Sequence, residues 1–364
     1  MAKTVFCVPD AFEVVFCDII HRPEAGRQAV VSKRNRECRR GIAVLMPAKR
    51  RLMKKVTALL AILVATVGCS SIEVHKEKIP EGDTVRILTF NIWGYGRGRK
   101  VPPARMAEVI KASNADIVGL QENNKNGKAI ADILGWHYVK QGRSATILSR
   151  FAVIETTEKK HGVKIRLDTG QEVFLFNVHF LPSPYQPYQL LNIPYGRAPF
   201  IKTEAEAIAA AKKVHGAHLE SLLKEIDAVQ DEGIPILITG DFNEPSHLDW
   251  TEATARSGRH PIKVAYPTSA ALAKAGFSDA YRTVYPDVMK MPGYTWTPVT
   301  KTSDPKDHHD RIDIVYFRGK GVRTNSVEIV GENPSNADIA VTPYPSDHRA
   351  VVATFTIPKQ TRAK

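Results

Sequence analysis

IPILITGDFNEPSH, residues 234–247, opens as a buried strand and closes on Asp241 and Asn243. Side chains alternate across a strand, so these two polar groups two positions apart point the same way. Gly, Asp and Asn are common turn formers, and a turn is the simplest account. The other account is a site at the carboxyl end of a buried strand, where sheet enzymes tend to hold their ligands. One such stretch does not decide between them; its recurrence would.

It recurs. TVRILTFNIWG (84–94) reads as a buried strand reaching Asn91, ADIVGLQENN (115–124) as one reaching Glu122, and EVFLFNVHF (172–180) as one reaching Asn177 and His179. DRIDIVYFRG (310–319) and SDHRAVVATFTI (346–357) contribute Asp313 and the pair Asp347/His348, and SATILSR (144–150) is a further strand. PPARMAEVIKASN (102–114) has the prolines and the apolar spacing of a helix with Met106, Val109 and Ile110 on one face. A second helical region spans 203–230, with Ile208, Leu219, Leu222, Leu223 and Ile226 facing inward and a break expected at Gly216. No repeat or low-complexity linker interrupts the chain, so one α/β domain is expected over about 80–358.

The polar set has a chemical logic. Carboxylates and amide oxygens suit a hard divalent ion such as Mg²⁺. A histidine beside an aspartate supplies proton transfer near neutral pH. Taken singly, each residue has a plain structural reading: a turn cap for Asn91, a surface carboxylate for Glu122, an ion pair with Arg311 for Asp313. Six strand ends of the same kind argue for a site.

Composition bounds the partners. The 364 residues are 43% hydrophobic and 24% charged, a globular balance. The net charge of +13 taken alone points to an anionic partner. Residues 1–69 hold 13 Lys/Arg and 5 Asp/Glu, however, which leaves 38 basic against 33 acidic residues, about +5, for the rest. The bias sits in a segment with an address-like pattern. MPAKRRLMKK (46–55) is basic, VTALLAILVATVG (56–68) is apolar but short for a membrane span, and Cys69-Ser70-Ser71 follows. Residues 46–69 therefore read as a secretory signal whose TVGC end resembles a bacterial lipoprotein box, with Cys69 as the lipidated residue, although Thr66 stands where Leu is usual. An ordinary signal peptide or an uncleaved anchor is the alternative. The 45 residues before Met46 read as a mis-called start or a disordered extension. On the lipoprotein reading the protein is exported to the bacterial cell envelope and held on a membrane by its lipid. Beyond Cys69 the chain has no cysteine, hence no disulfide and no Cys-based metal site in the domain.

FNIWG, IVGLQE, ATILSR, FNVHF, GDFNEP, YTWTP, RIDIVY and SDHRAV follow one another along 84–357. In this series and order they resemble the endonuclease/exonuclease/phosphatase superfamily, which includes deoxyribonuclease I-like nucleases, exonuclease III-like repair enzymes, neutral sphingomyelinases, inositol-polyphosphate phosphatases and deadenylases. The resemblance implies a four-layer α/β sandwich, two mixed sheets face to face with helices outside. It implies roles too. Glu122, with Asn91 nearby, would hold a divalent ion, Mg²⁺ or else Mn²⁺ or Ca²⁺, with Asp347 helping to hold metal or His348. Asp241 would orient or deprotonate the attacking water and Asn243 would bind the scissile phosphate. His348 would contact a phosphoryl oxygen or transfer a proton, Asp313 would fix its tautomer, and His179 would be the second histidine.

The substrate is less legible, because this fold hosts many. A mature charge of about +5 does not demand nucleic acid, and no Lys/Arg stripe interleaved with aromatics stands near the strand ends. LPSPYQPYQLLNIPYGRAPF (181–200), straight after His179, carries Tyr185, Tyr188, Tyr195 and Arg197 among five prolines, and reads as a rigid surface loop or as a substrate-facing rim. DHHD (307–310) reads as a solvated turn, with His309 able to line the site, and Asn177 is a further candidate for substrate contact. Three functions stay open: an exported phosphoesterase for a small or lipid-linked phosphoester, an exported nuclease, and an inactive binding module. The intact set of Glu122, Asp241, Asn243, Asp313 and His348 argues against the third.

Overall fold

The computed structural model describes residues 82–96, 101–123, 126–142 and 144–359. The leader, the signal-like segment and Cys69 lie outside the described residues. Two mixed sheets organise the rest. The first has the order β12-β11-β13-β1-β2-β4-β3 and the second β5-β6-β7-β8-β10-β9. The strands are β1 (Gly82–Asn91), β2 (Ile117–Gln121), β3 (His137–Gln141), β4 (Ala145–Ser149), β5 (Ala152–Thr156), β6 (Gly162–Arg166), β7 (Glu172–His179), β8 (Ile236–Asp241), β9 (Ser278–Asp279), β10 (Asp313–Arg318), β11 (Arg323–Gly331), β12 (Ile339–Ala340) and β13 (Ala350–Pro358). Each sheet has a parallel pair at its centre, β1 with β2 and β7 with β8, flanked on both sides by antiparallel strands, and the two-residue edge strand β12 also runs parallel to β11. Parallel neighbours need a crossover. Helix α1 (Pro103–Ala112) supplies the first; α3 (Gln186–Leu191) and α4 (Glu204–Val229) supply the second.

Strand alternation builds the layers. Val85 and Ile87 of β1, Ile117 of β2, Val173 and Leu175 of β7, Leu237 of β8 and Val315 of β10 meet between the sheets in one core. Their alternates face outward. Leu88, Phe90, Val118 and Leu120 pack under α1 and α2 (Gly127–Leu134). Phe174, Phe176, Ile236 and Ile238 pack under α4 and α5 (Pro267–Lys274). The result is the four-layer sandwich that the family resemblance implies. Helix α4 begins with a Thr203–Glu206 capping box and runs unbroken through Gly216, contrary to the expected break. A glycine there costs only about 1 kcal/mol relative to alanine, too little to interrupt a capped helix packed on a sheet.

Further along the strands the inner face turns polar. Thr89, Gln121, Asn177 and Thr239 form a buried hydrogen-bonded layer between the sheets. Gln121 Nε2 donates to Asn177 Oδ1 at 2.7 Å and to Thr89 Oγ1 at 3.1 Å, and Thr239 Oγ1 donates to Asn177 Oδ1 at 3.1 Å. Asn177 Nδ2 donates to Gln141 Oε1 and to the carbonyls of Leu120 and Thr146. Gly119 lies against this layer, and a Cβ on it would stand 2.1 Å from Thr239 Oγ1, so only glycine fits. One pleat beyond comes the site.

Candidate active site

On that next pleat stand Asn91, His179 and Asp241, with Asp313 directly across from Asp241 in the β8–β10 register. The sequence reading takes Asp313 and Asp347/His348 as strand ends, and the structure corrects this. Asp313 begins β10, and Asp347 and His348 precede β13. Both strands run antiparallel to their neighbours, so their first residues arrive at the rim where β1, β7 and β8 finish.

Asp241 is the hub. Its Oδ2 accepts from Asn91 Nδ2 at 2.8 Å and Asn243 Nδ2 at 3.2 Å, and its Oδ1 accepts from the Asn243 amide at 2.9 Å. Two imidazoles flank it, with His179 Nε2 at 3.7 Å and His348 Nε2 at 3.9 Å. His348 Nδ1 lies 2.9 Å from Asp313 Oδ2, which orients the ring and aims Nε2 toward Asp241. His179 is steadied in the same way by Ser144 Oγ, 2.8 Å from Nδ1. Its Nε2 is buried between Asp241 and Glu122, the latter at 4.0 Å, with no hydrogen-bond partner. Glu122 and Asn243 both adopt positive φ, +54° and +47°. For a glutamate this region is uncommon and costs free energy, which the surrounding strands sustain at the place where the carboxylate is needed.

Asn243, expected to meet the scissile phosphate, lines the cavity beside Asp241. Its Nδ2 hydrogens go to the Phe180 carbonyl, at 3.0 Å, and to Asp241, so it braces Asp241. Asn177 is corrected as well. It lies in the inter-sheet layer one pleat below, its amide consumed there. Arg197 is exposed and away from the cavity wall, and His309 instead bonds Thr300 Oγ1 at 3.0 Å and rests edge-on against Tyr294.

The sequence reading assigned no role to three contributors. Trp296 lies with its ring 4.9 Å from that of His348 and bridges both His348 and Asp310 through its backbone. Ser144 holds His179. His215, on α4, presents Nδ1 to Glu244 Oε2 at 2.7 Å and Nε2 to the Leu181 carbonyl at 3.0 Å. It thereby ties the chain leaving His179 to the loop after Asp241. YTWTP was visible as a motif, but nothing local marks Ser144 or His215, whose partners are distant in sequence.

Burial would lower the His348 pKa, but the Asp313 and Asp241 carboxylates outweigh it and hold it up at about 10. Burial pushes the Asp347 carboxyl up to about 7; His348 opposes this and Glu122 adds to it. Burial also raises Asp241, against His348 and with Asp313. In each raised case the folded state holds a proton that the unfolded chain releases earlier. His348 therefore stabilises the metal-free fold fully below its ordinary value of 6.5, and this contribution is lost as pH rises toward 10. Asp347 acts in the same sense between 3.8 and about 7. In EDTA, the denaturant midpoint should fall steadily from pH 6 to pH 10, and His348→Gln should flatten the upper part of that slope. A midpoint that rises over this range would contradict the assignment.

The oxygens at the rim fit a hard cation. Asp347 Oδ1 is buried without a hydrogen-bond partner and shares a cavity with Glu122. Among the described residues Asn91 Oδ1 accepts from the Trp93 amide at 2.9 Å, and a carbonyl oxygen has a second lone pair. Glu122, Asp347 and Asn91 would hold a divalent ion, which supplies Lewis-acid stabilisation of a phosphoryl oxygen. Beside these groups a cavity of about 340 Å³ is walled by Tyr185, Tyr188, Tyr195, Ile193, Trp93 and Trp296, with Lys306 its one Lys or Arg among the described residues. The segment 181–200 supplies Tyr185, Tyr188, Ile193, Pro194 and Tyr195 to this wall. It contains α3, and its Tyr185 and Tyr188 are buried.

Two sheets that converge on a carboxylate–histidine site with oxygen ligands for a metal define a phosphoester hydrolase. Residues 88–348 match the Endonuclease/Exonuclease/phosphatase family, and the chain belongs to it. It is a metal-dependent hydrolase acting on ester bonds. A Caenorhabditis elegans protein, "Uncharacterized protein F14F9.5", is 30% identical over 316 residues, covering 82% of this chain and 98% of that one. Among solved structures, truncated Caenorhabditis elegans TDP2 is 20% identical, with a TM-score of 0.46, over 75% of this chain and 98% of that chain. An AP endonuclease from Archaeoglobus fulgidus is 18% identical, with a TM-score of 0.47, over 75% of this chain and 100% of the other.

Proposed function

We propose that the enzyme hydrolyses a phosphoester whose leaving or retained group is compact and apolar or aromatic, a small or lipid-linked phosphoester, with Mg²⁺ as its ion. The observation that supports this reading is the cavity wall. Tyr185, Tyr188 and Tyr195 pack edge to face in series and, with Trp296, offer apolar faces directly beside Asp241 and His348. Lys306 is the wall's one Lys or Arg among the described residues, which suits a single phosphate better than a polyanion.

A second reading, nuclease action, has one observation in its favour. Across His179 lies another cavity, of about 260 Å³, lined by Lys159, Lys160, His161 and His218, where a nucleic-acid backbone could continue.

A substrate panel with Mg²⁺ separates the two: sphingomyelin, inositol phosphates, bis-p-nitrophenyl phosphate, plasmid DNA and RNA. On the first reading a lipid or small ester is the best substrate. Tyr195, 42% exposed at the mouth, should then matter for binding alone. Tyr195→Ala should raise KM for that substrate about tenfold with kcat kept, the pattern of lost uniform binding. Faster turnover of DNA or RNA than of every small ester would overturn it. We further propose that the protein is exported and lipid-anchored through Cys69. Mass spectrometry of the mature N-terminus tests this, and an unmodified N-terminus elsewhere rules it out.

A further inference from the structure

We infer that His260, His308 and Asp310 form a second metal site, selective for a zinc-like ion and separate from the oxygen-rich catalytic rim. His260 Nδ1 and His308 Nε2 lie 3.0 Å apart, Asp310 Oδ1 lies 3.9 Å from His308 Nε2, and the three ligand atoms fall within 4.8 Å of one another. A tetrahedral zinc site with bonds of about 2.05 Å has ligand atoms roughly 3.4 Å apart, so the observed spacings straddle that figure. Two imidazoles and a carboxylate are a zinc donor set that leaves the fourth position for water. The His308 side chain, 15% exposed, gives that position access to solvent.

Charge and outer contacts carry the inference further. Asp310 is 2% exposed. Two other buried aspartates share a guanidinium: Arg311 lies 2.8 Å from Asp249 and 2.7 Å from Asp279. Asp310 has only neutral donors, Trp250 Nε1 on Oδ1 at 2.9 Å and Tyr185 OH on Oδ2 at 2.7 Å, and its nearest basic group among the described residues is His308. A buried carboxylate without a matching charge is costly, and a dication between it and two imidazoles would supply that charge. Trp250 also stacks on His260 at 4.2 Å, which fixes the ring plane. Such outer-shell contacts are what orient metal ligands. Through Tyr185 and through the Trp296–Asp310 backbone bridge, the site would brace the aromatic wall of the catalytic cavity.

The test counts metal, not turnover. The full chain is stripped with EDTA, loaded with Zn²⁺ in excess Mg²⁺, freed of unbound ion by gel filtration and assayed by elemental mass spectrometry. Wild type, Glu122→Gln and Asp241→Asn should each keep about one zinc per chain, and His308→Gln and His260→Asn at most a tenth of that. Co²⁺ loading should give the intense visible bands of a four-coordinate ion in wild type, lost in His308→Gln. Zinc that persists in His308→Gln, or that disappears in Asp241→Asn, would overturn the assignment, as would a wild type that retains none. Should the histidine variants fail to fold by circular dichroism, X-ray absorption on zinc-loaded wild type decides, with two imidazole ligands expected and their absence refuting the site.

Discussion

His348→Ala is expected to lower kcat by about 10²–10⁴-fold, the usual worth of a positioned proton-transfer group, while leaving the protein folded. The imidazole sits between Asp313, which holds Nδ1 at 2.9 Å, and the cavity that Nε2 faces. In the metal-free protein both carboxylates hold its pKa up at about 10, which favours the charged imidazolium, a form that can stabilise a phosphoryl oxygen or protonate a leaving group. Asp241→Asn should cost as much by another route: it removes the carboxylate between the two histidines but keeps the side chain's size. Asp313→Asn should also impair turnover, since it removes the carboxylate that orients the His348 ring and favours its charged form. Steady-state kinetics with circular dichroism checks all three. A His348→Ala enzyme within about threefold of wild type would show that the group does not take part in the chemistry, since that lies far below the usual contribution.

That Asn91, His179 and Asp241 come together was legible because strand alternation is a strong signal. Asn91, His179 and Asp241 each continue the inward-facing series of an apolar strand. The same signal misplaced Asn177. It lies on the same face as His179, two residues earlier, and two residues along a strand are about 6.6 Å, the difference between the cavity floor and the layer beneath it. Strand direction is not written in a short apolar run, so Asp313 and His348 were recognisable as site residues while their place at strand beginnings was not. Strands β3, β5, β6 and β11 escaped notice for a different reason. β5, for instance, is exposed along nearly all its length, so it lacks the apolar period that would reveal it. The DHHD turn shows the limit of local reading. Half-buried His308 and buried Asp310 pack against Trp250 and His260, residues 48 to 60 positions away whose approach only the tertiary fold creates.

Glu122→Gln is expected to abolish most activity at ordinary Mg²⁺ concentrations, with part of the loss recovered as Mg²⁺ is raised. The substitution keeps the shape of the side chain and its hydrogen-bonding reach but removes one negative charge from the rim. Of the three carboxylates that line the cavity, Glu122, Asp241 and Asp347, Glu122 is the least buried, and burial pushes the Asp347 carboxyl up to about 7. Near neutral pH it carries only part of its charge in the metal-free protein, and Glu122 is the more exposed of the two to an arriving dication. Losing it should therefore weaken metal binding more than it alters the bound geometry, and the deficit should appear as a higher Mg²⁺ requirement. Several kcal/mol of transition-state stabilisation rest on a catalytic metal, so excess EDTA should silence wild type and variant alike. Mg²⁺ titrations of initial rate read both effects. An enzyme as active in EDTA as in Mg²⁺ would refute metal dependence. A Glu122→Gln enzyme with an unchanged Mg²⁺ midpoint would instead move the ion away from Glu122, to the oxygens of Asp347 and Asn91.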